Sequence, residues 1–298
     1  MIVKRNLSPK RVLEYVAAPM AWASLWAIAA PVAFTVTDDQ RIILPFPAVA
    51  TLGAALAIFV AFRNNSAFAR WNDARAAWQT TLVASRTLTR QIIASTRHAA
   101  ASGTITGNQA TEAQQQIGGL VVEFAWTLAA ATRPTRPVSS AHRTGRAPDA
   151  VLIDIATAIK DGIRTGALGQ FDPISTEPQL VALNTAQGTI ERIATTPTLR
   201  QYDYFTRRLV ELFALVAPFA LLGLVPDAVW LATPLALILA GTFVVLAVTG
   251  AANDEPFANR VTDVPIDTIC TQLEHDVLTA IGQPDPPQLL QPVDGYLW

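Results

Sequence analysis

The stretch "IILPFPAVATLGAALAIFVAFRNNSAFARWNDARAAWQ", residues 42–79, changes character at Phe62. Up to Phe62 it holds no charged side chain, whereas Arg63, Arg70, Asp73 and Arg75 crowd with Trp71 and Trp78 into the part that follows. No proline or glycine lies between Phe62 and Gln79, so nothing there stops a helix that begins in the apolar half. About 20 apolar residues in a helix cross the hydrocarbon core of a bilayer. The stretch therefore predicts one helix in two solvents, lipid as far as Phe62 and water beyond it.

The composition points the same way. Of 298 residues, 51% are hydrophobic and 15% charged, and the mean hydropathy is +0.32. An average soluble domain has about 25% charged residues. The net charge of −1 gives no global attraction to nucleic acid or to acidic substrates. Cys270 is the single cysteine, and His98, His142 and His275 stand far apart, so neither a disulfide nor a metal-ligand spacing is present in the sequence. No phosphate-binding, dinucleotide, zinc-protease or serine-hydrolase motif occurs. The chain reads as a membrane protein and not an enzyme, with no cofactor and no metal.

Four apolar runs predict four membrane spans: residues 15–37, 42–62, 209–226 and 228–253. The links Asp38–Arg41 and Asp227 are short enough to make two hairpins. Pro19 and Pro31 interrupt the first run, which a membrane helix tolerates when a neighbour takes up the freed carbonyls. Lys4, Arg5, Lys10 and Arg11 precede the first span without a cleavage-like site, so a retained helix is expected. Those residues, the arginines after Phe62, and Arg200, Arg207 and Arg208 before the third span place both termini and the middle region in the cytoplasm. A bacterial-type inner (plasma) membrane is the expected location.

Residues 63–208 read as a helical cytoplasmic region, with a proline- and arginine-rich loop at 132–150. Helices are expected over 147–168 and 176–194, and of the C-terminal tail 254–298 the last part, 281–298, reads as proline-rich and extended. On a helical wheel with Phe62 at zero and about 100° per residue, Ile58 falls near −40°, Ala54 near −80°, Ser66 near +40° and Asp73 near +20°. Ala54, Ile58, Phe62, Ser66 and Asp73 thus share one stripe of the long helix. Apolar residues on such a stripe face lipid, protein or a pore, and periodicity alone does not choose among them.

Three motifs narrow the choice. "FRNNSAFARWNDARAAW" (62–78), "ERIATTPT" (191–198) and "NDEPFANRVTDVPIDTIC" (253–270) lie in order between the spans. Together they resemble the bestrophin family over nearly the whole chain, through Arg63, Asn64, Arg70, Trp71, Arg75, Trp78, Pro197, Pro256 and Phe257. The resemblance implies a single all-α domain over residues 1–298 that assembles as a homopentamer around one ion pore. It carries the family's hydrophobic neck onto Ala54, Ile58 and Phe62, with Ala54 smaller than the residue expected there. Ile174 or Leu180 is the candidate for the family's cytoplasmic aperture, and Pro256 and Phe257 are expected to anchor the tail beneath the membrane domain. Animal members bind calcium through acids after the PF dipeptide. Here only Asp263 is acidic in "ANRVTD", too few carboxylates for a calcium site.

The expected function is a channel for monovalent ions in a lipid bilayer. Ser66 and Asp73 are the candidate selectivity ring, and five Asp73 carboxylates would lean it toward cations. A chloride or other anion channel of the same family is the alternative, since arginines lie on adjacent faces. A non-conducting membrane scaffold is a further one. A secondary transporter would need broken polar helices at the bilayer midplane, which the runs lack.

Overall fold

The computed structural model describes residues 1, 3, 9–133, 145–198 and 200–297, with backbone only for 9–15. Lys4, Arg5 and His142, and residues 134–144 of the expected loop, lie outside the described residues. Eight α-helices are described: α1 Pro9–Thr37, α2 Phe46–Ala101, α3 Gly107–Thr132, α4 Pro148–Thr165, α5 Pro173–Thr195, α6 Arg200–Leu222, α7 Ala232–Asn253 and α8 Ile266–Ala280. The chain forms two compact units, an apolar unit (residues 4–70 and 197–255) and a helical body (1–3, 71–196 and 256–298). The units divide after Arg70, Thr196 and Glu255.

In the apolar unit α1, the first part of α2, α6 and α7 pack through small residues. Ala23, Ala214 and Ala240 form one buried cluster of α1, α6 and α7. Such residues let membrane helices approach where no hydrophobic effect drives them together. Gly53 of α2 lies against the Phe213 ring of α6, where an added Cβ would come within 2.9 Å of Phe213 Cε2. Phe213 in turn meets Phe243 of α7 edge-on at 4.9 Å. Pro31 has no N–H for the carbonyl of Ala27 one turn back. The Thr233 hydroxyl of α7 donates to that oxygen at 2.9 Å, so a neighbouring helix satisfies it.

Among the described residues, three helical segments are long and apolar enough to cross a membrane: Val16–Thr37, Gln40–Ala101 and Pro226–Asn253. α6 is not among them, because Arg200, Asp203, Arg207, Arg208 and Glu211 occupy its first half. Several expected boundaries shift. α2 begins at Phe46, after a 3-10 turn at Gln40–Ile42 whose first amides are capped by Asp39, which accepts from Arg41 N at 2.9 Å. α6 stops at Leu222 instead of reaching Pro226. A 3-10 turn over Pro226–Leu231 precedes α7 and takes the first residues of the expected fourth span.

The helical body is built on the second part of α2 with α3, α4, α5 and α8. Its core joins Trp78, Leu88 and Ile92 of α2 to Phe124, Leu128, Ile155, Leu183, Ile190 and Leu273. A capping box opens α3: Thr106 Oγ1 accepts from Gln109 N at 3.3 Å, and Gln109 Oε1 from Thr106 N at 2.8 Å. α8 lies in the C-terminal tail, just ahead of the stretch expected to be extended. Ile266, Ile269, Cys270, Leu273 and Val277 recur at helical spacing, and this period competes successfully with the flanking prolines. Beyond Gly282 the tail is largely without helix.

Candidate functional site

α2 has two opposed faces in the apolar unit. Val49, Gly53, Leu56, Val60 and Ala67 are buried along one. Ala54, Ile58, Phe62 and Ser66 are exposed on the other, Ile58 by 59% and Phe62 by 72%. Bulky apolar side chains are left open here because the sequence places small and branched residues, at helical period, on the face that α6 and α7 cover. None of the expected neck residues belongs to the hydrophobic clusters of the apolar unit.

The residues just after Phe62 hold α2 to its neighbours. Arg63, with 8% of its side chain exposed, forms an ion pair with Asp203 of α6 and donates from Nη1 to Ala247 O of α7 at 2.8 Å. Asn64 Nδ2 donates to Leu246 O at 2.9 Å. α7 can come this close because residue 250 is glycine: a Cβ there would collide with Asn64 Oδ1 and lie 2.9 Å from Arg63 Nη1. Arg70 Nε donates at 3.0 Å to Asp254 O. Asp254 follows the last turn of α7, where a cation meets the negative end of the helix dipole. The Thr198 hydroxyl donates to the Asp254 carboxylate, next to exposed Pro197. All three sequence motifs therefore meet at the end of α7, through Arg70, Thr198 and Asp254.

In the helical body Trp71 Nε1 donates to Thr262 O at 3.0 Å, with the Arg75 guanidinium 5.9 Å from its ring. Trp78 is fully buried. Asp73 is exposed, as is Arg75 on the adjoining face. Of the two aperture candidates, Ile174 is 75% exposed in the first turn of α5, while Leu180 packs against the core.

Pro256 and Phe257 are buried in the helical body, and Val264 N donates to Pro256 O at 3.2 Å to close the loop. Asp263 Oδ2 accepts from Arg260 N at 2.9 Å inside that loop. Burial pushes its carboxyl above the usual range, against the pull of the Arg260 backbone N–H and of Arg133. The loop's one acid is thus turned inward and committed to the backbone. Among the described residues no cluster of three or more metal-ligating side chains occurs. Burial also raises the Cys270 thiol well above its ordinary value, which keeps it un-ionised.

Other fixing contacts escaped the sequence. Arg133, 4% exposed, reaches from the end of α3 to Val264 O at 2.6 Å and Asp267 at 3.6 Å. Trp126 Nε1 donates to Glu274 Oε2 at 2.9 Å. Both pairings join α3 to the α8 region, and the period of α8 is the signal that would have suggested them.

The model for the family described as "Bacterial/Fungal Bestrophin protein" matches residues 7–279. The protein named "Voltage-dependent anion channel-forming protein YneE" of Escherichia coli K12 is 27% identical over 257 residues, covering 82% of this chain and 80% of that one. Its namesake from Ralstonia nicotianae, RSc3414, is 26% identical over 246 residues, covering 78% and 76%. Among solved structures, a bacterial bestrophin homologue from Klebsiella pneumoniae superposes with a TM-score of 0.78 at 26% identity, over 91% of this chain and 100% of that one. Its W252A variant gives 0.79 over 91% and 98%. With its three motifs placed as described and the family match running from residue 7 to residue 279, the chain belongs to the bacterial and fungal bestrophin family.

Proposed function

We propose that the protein is a homopentameric channel for monovalent ions, with its pore lined by α2 from five copies. The observation that carries this is the exposure of Ile58 and Phe62 on the face of α2 opposite its packed face. One such stripe cannot enclose a path, so the reading requires several copies, and the family resemblance supplies the number five. Rings of Ile58 and Phe62 would form a hydrophobic constriction that conducts only when wet, with the smaller Ala54 at its outer end. Ile174 is the better placed of the two residues for a second, cytoplasmic constriction. The apolar half of α6 is the third of four spans, completed by packing against α1 and α7 rather than by its own hydropathy.

Anions are the first reading of selectivity. The relatives from Escherichia coli and Ralstonia are named for anion channels. α2 also carries Arg63, Arg70, Arg75, Arg86, Arg90 and Arg97 against the single acid Asp73. Cation preference remains the second reading, supported by the exposed Asp73 carboxylate. Single-channel recording in planar bilayers under a potassium chloride gradient tests both. A reversal potential near the chloride value supports the first reading and one near the potassium value the second. A silent bilayer with intact oligomers present would leave the scaffold alternative standing and remove the channel.

A further inference from the structure

A cleft of ≈ 610 Å³ opens within the apolar unit between α1, α6 and α7. Pro19, Trp22, Val244 and Val248 give it apolar walls, while Arg63, Arg207 and Arg208 bring three guanidinium groups to it. Asp203 and Glu211 also line it, which leaves a net positive charge of one. It lies at the end of the unit where α6 starts and α7 finishes, and Lys10 and Arg11 occupy the first turn of α1.

We propose that this cleft seats an anionic phospholipid of the surrounding bilayer, with its phosphate on Arg207 and Arg208 and an acyl chain along the apolar wall. The proposal rests on the membrane placement of the apolar unit and not on ion conduction. Protein interiors and their lipid contacts are close-packed, so an apolar-walled space of this size beside hydrocarbon fills with something. The charge selects what fills it. Arg207 and Arg208 are 67% and 60% exposed and are held by pairs within one turn, Arg207 to Asp203 at 3.3 Å and Arg208 to Glu211 at 2.6 Å. Pairs this exposed contribute little and exchange readily. The two non-bridging oxygens of one lipid phosphate can accept from both guanidiniums at once, which neither carboxylate does here. Arg63, tied to Asp203 and to the backbone of α7, is a fixed positive charge behind them. The Tyr204 ring, 5.3 Å from the Arg208 guanidinium and exposed, has the amphipathic character favoured at headgroup level. Basic pockets between membrane helices on the cytoplasmic side bind acidic headgroups in this way.

The test is native mass spectrometry of the intact protein in detergent, with phosphatidylglycerol or phosphatidylcholine added. The wild-type protein should retain phosphatidylglycerol on each protomer and little phosphatidylcholine. Arg207→Ala combined with Arg208→Ala should weaken phosphatidylglycerol binding about thirtyfold, since the two surface arginines together contribute roughly 2 kcal/mol toward an anionic lipid. Ala18→Phe, which fills the cleft from α1, should lower occupancy with the arginines in place. Equal retention of the two lipids, or unchanged occupancy in the double variant, overturns the proposal. So does displacement of the lipid by millimolar inorganic phosphate, which would mark a free-anion site. If Ala18→Phe instead splits the oligomer at unchanged lipid count, a second copy covers the cleft and the proposal fails. Lipid count is read from mass alone, so a protein that conducts no ions can still pass or fail.

Discussion

Phe62 and Arg63 are adjacent in the chain and opposite in what surrounds them. Phe62 is 72% exposed, and the Arg63 side chain only 8%. Phe62→Ala and Ile58→Ala should therefore leave thermal stability nearly unchanged while raising unit conductance, because each removes a ring of bulk from the proposed constriction. If these side chains were buried by other means, Phe62→Ala would cost about 3–5 kcal/mol and conductance would stay as it was. Arg63→Ala should do the reverse, lowering stability by about 2–3 kcal/mol through loss of charged hydrogen bonds. The figure is kept low because Asp203 is 39% exposed and rehydrates when its partner leaves. Asp263 offers a pH test. Its carboxyl titrates above the ordinary value in the native state, so the native protein binds more protons than the unfolded chain between the two pKa values. Stability should fall as pH rises through that window, starting from about 3.9, and level off above it. Melting curves of wild type and Asp263→Asn across this range should diverge with pH; parallel curves would show that Asp263 titrates normally.

At the scale of elements, α2 is one helix of 56 residues through both units. Its contact with α6 depends on the missing side chain at Gly53 and the ring of Phe213. Gly53→Val should force the two helices apart at about 1–3 kcal/mol, the usual range for overpacking. Gly53→Val combined with Phe213→Leu should recover much of that loss, which a thermal-melting cycle of the three variants would reveal. Additive losses would mean that this contact does not set the spacing. The same logic explains α7: its approach to Arg63 and Asn64 needs Gly250, and its hold on α1 runs through Thr233 to the carbonyl freed by Pro31.

For the whole molecule the deciding quantities are copy number and charge along the path. Mass measurement of the purified particle should give five chains, and one or two would rule out a pore built from single α2 stripes. Asp73→Asn removes one negative charge per copy and should move the reversal potential toward the chloride value. An unmoved potential would place Asp73 away from the ions. Because the loop after Phe257 turns its one acid inward, currents should not respond to micromolar cytoplasmic calcium. Steep activation abolished by Asp263→Ala would overturn that reading of the loop.

The sequence by itself determined the apolar runs, the family and the unbroken α2, because each rests on local chemistry: hydropathy over about 20 residues, motif identity, and the absence of a helix breaker after Phe62. It also placed Ile58 and Phe62 on one stripe, since helical period is local. It did not disclose α8, whose period is masked by the flanking prolines, nor the true ends of α6 and α7, where turn geometry overrides apolar composition. Only the tertiary structure separated Leu180 from Ile174 and made Arg63 a buried clasp. Those outcomes depend on which helix covers which face, and the partners lie more than a hundred residues away: Asp203 and Ala247 for Arg63, Val264 and Asp267 for Arg133.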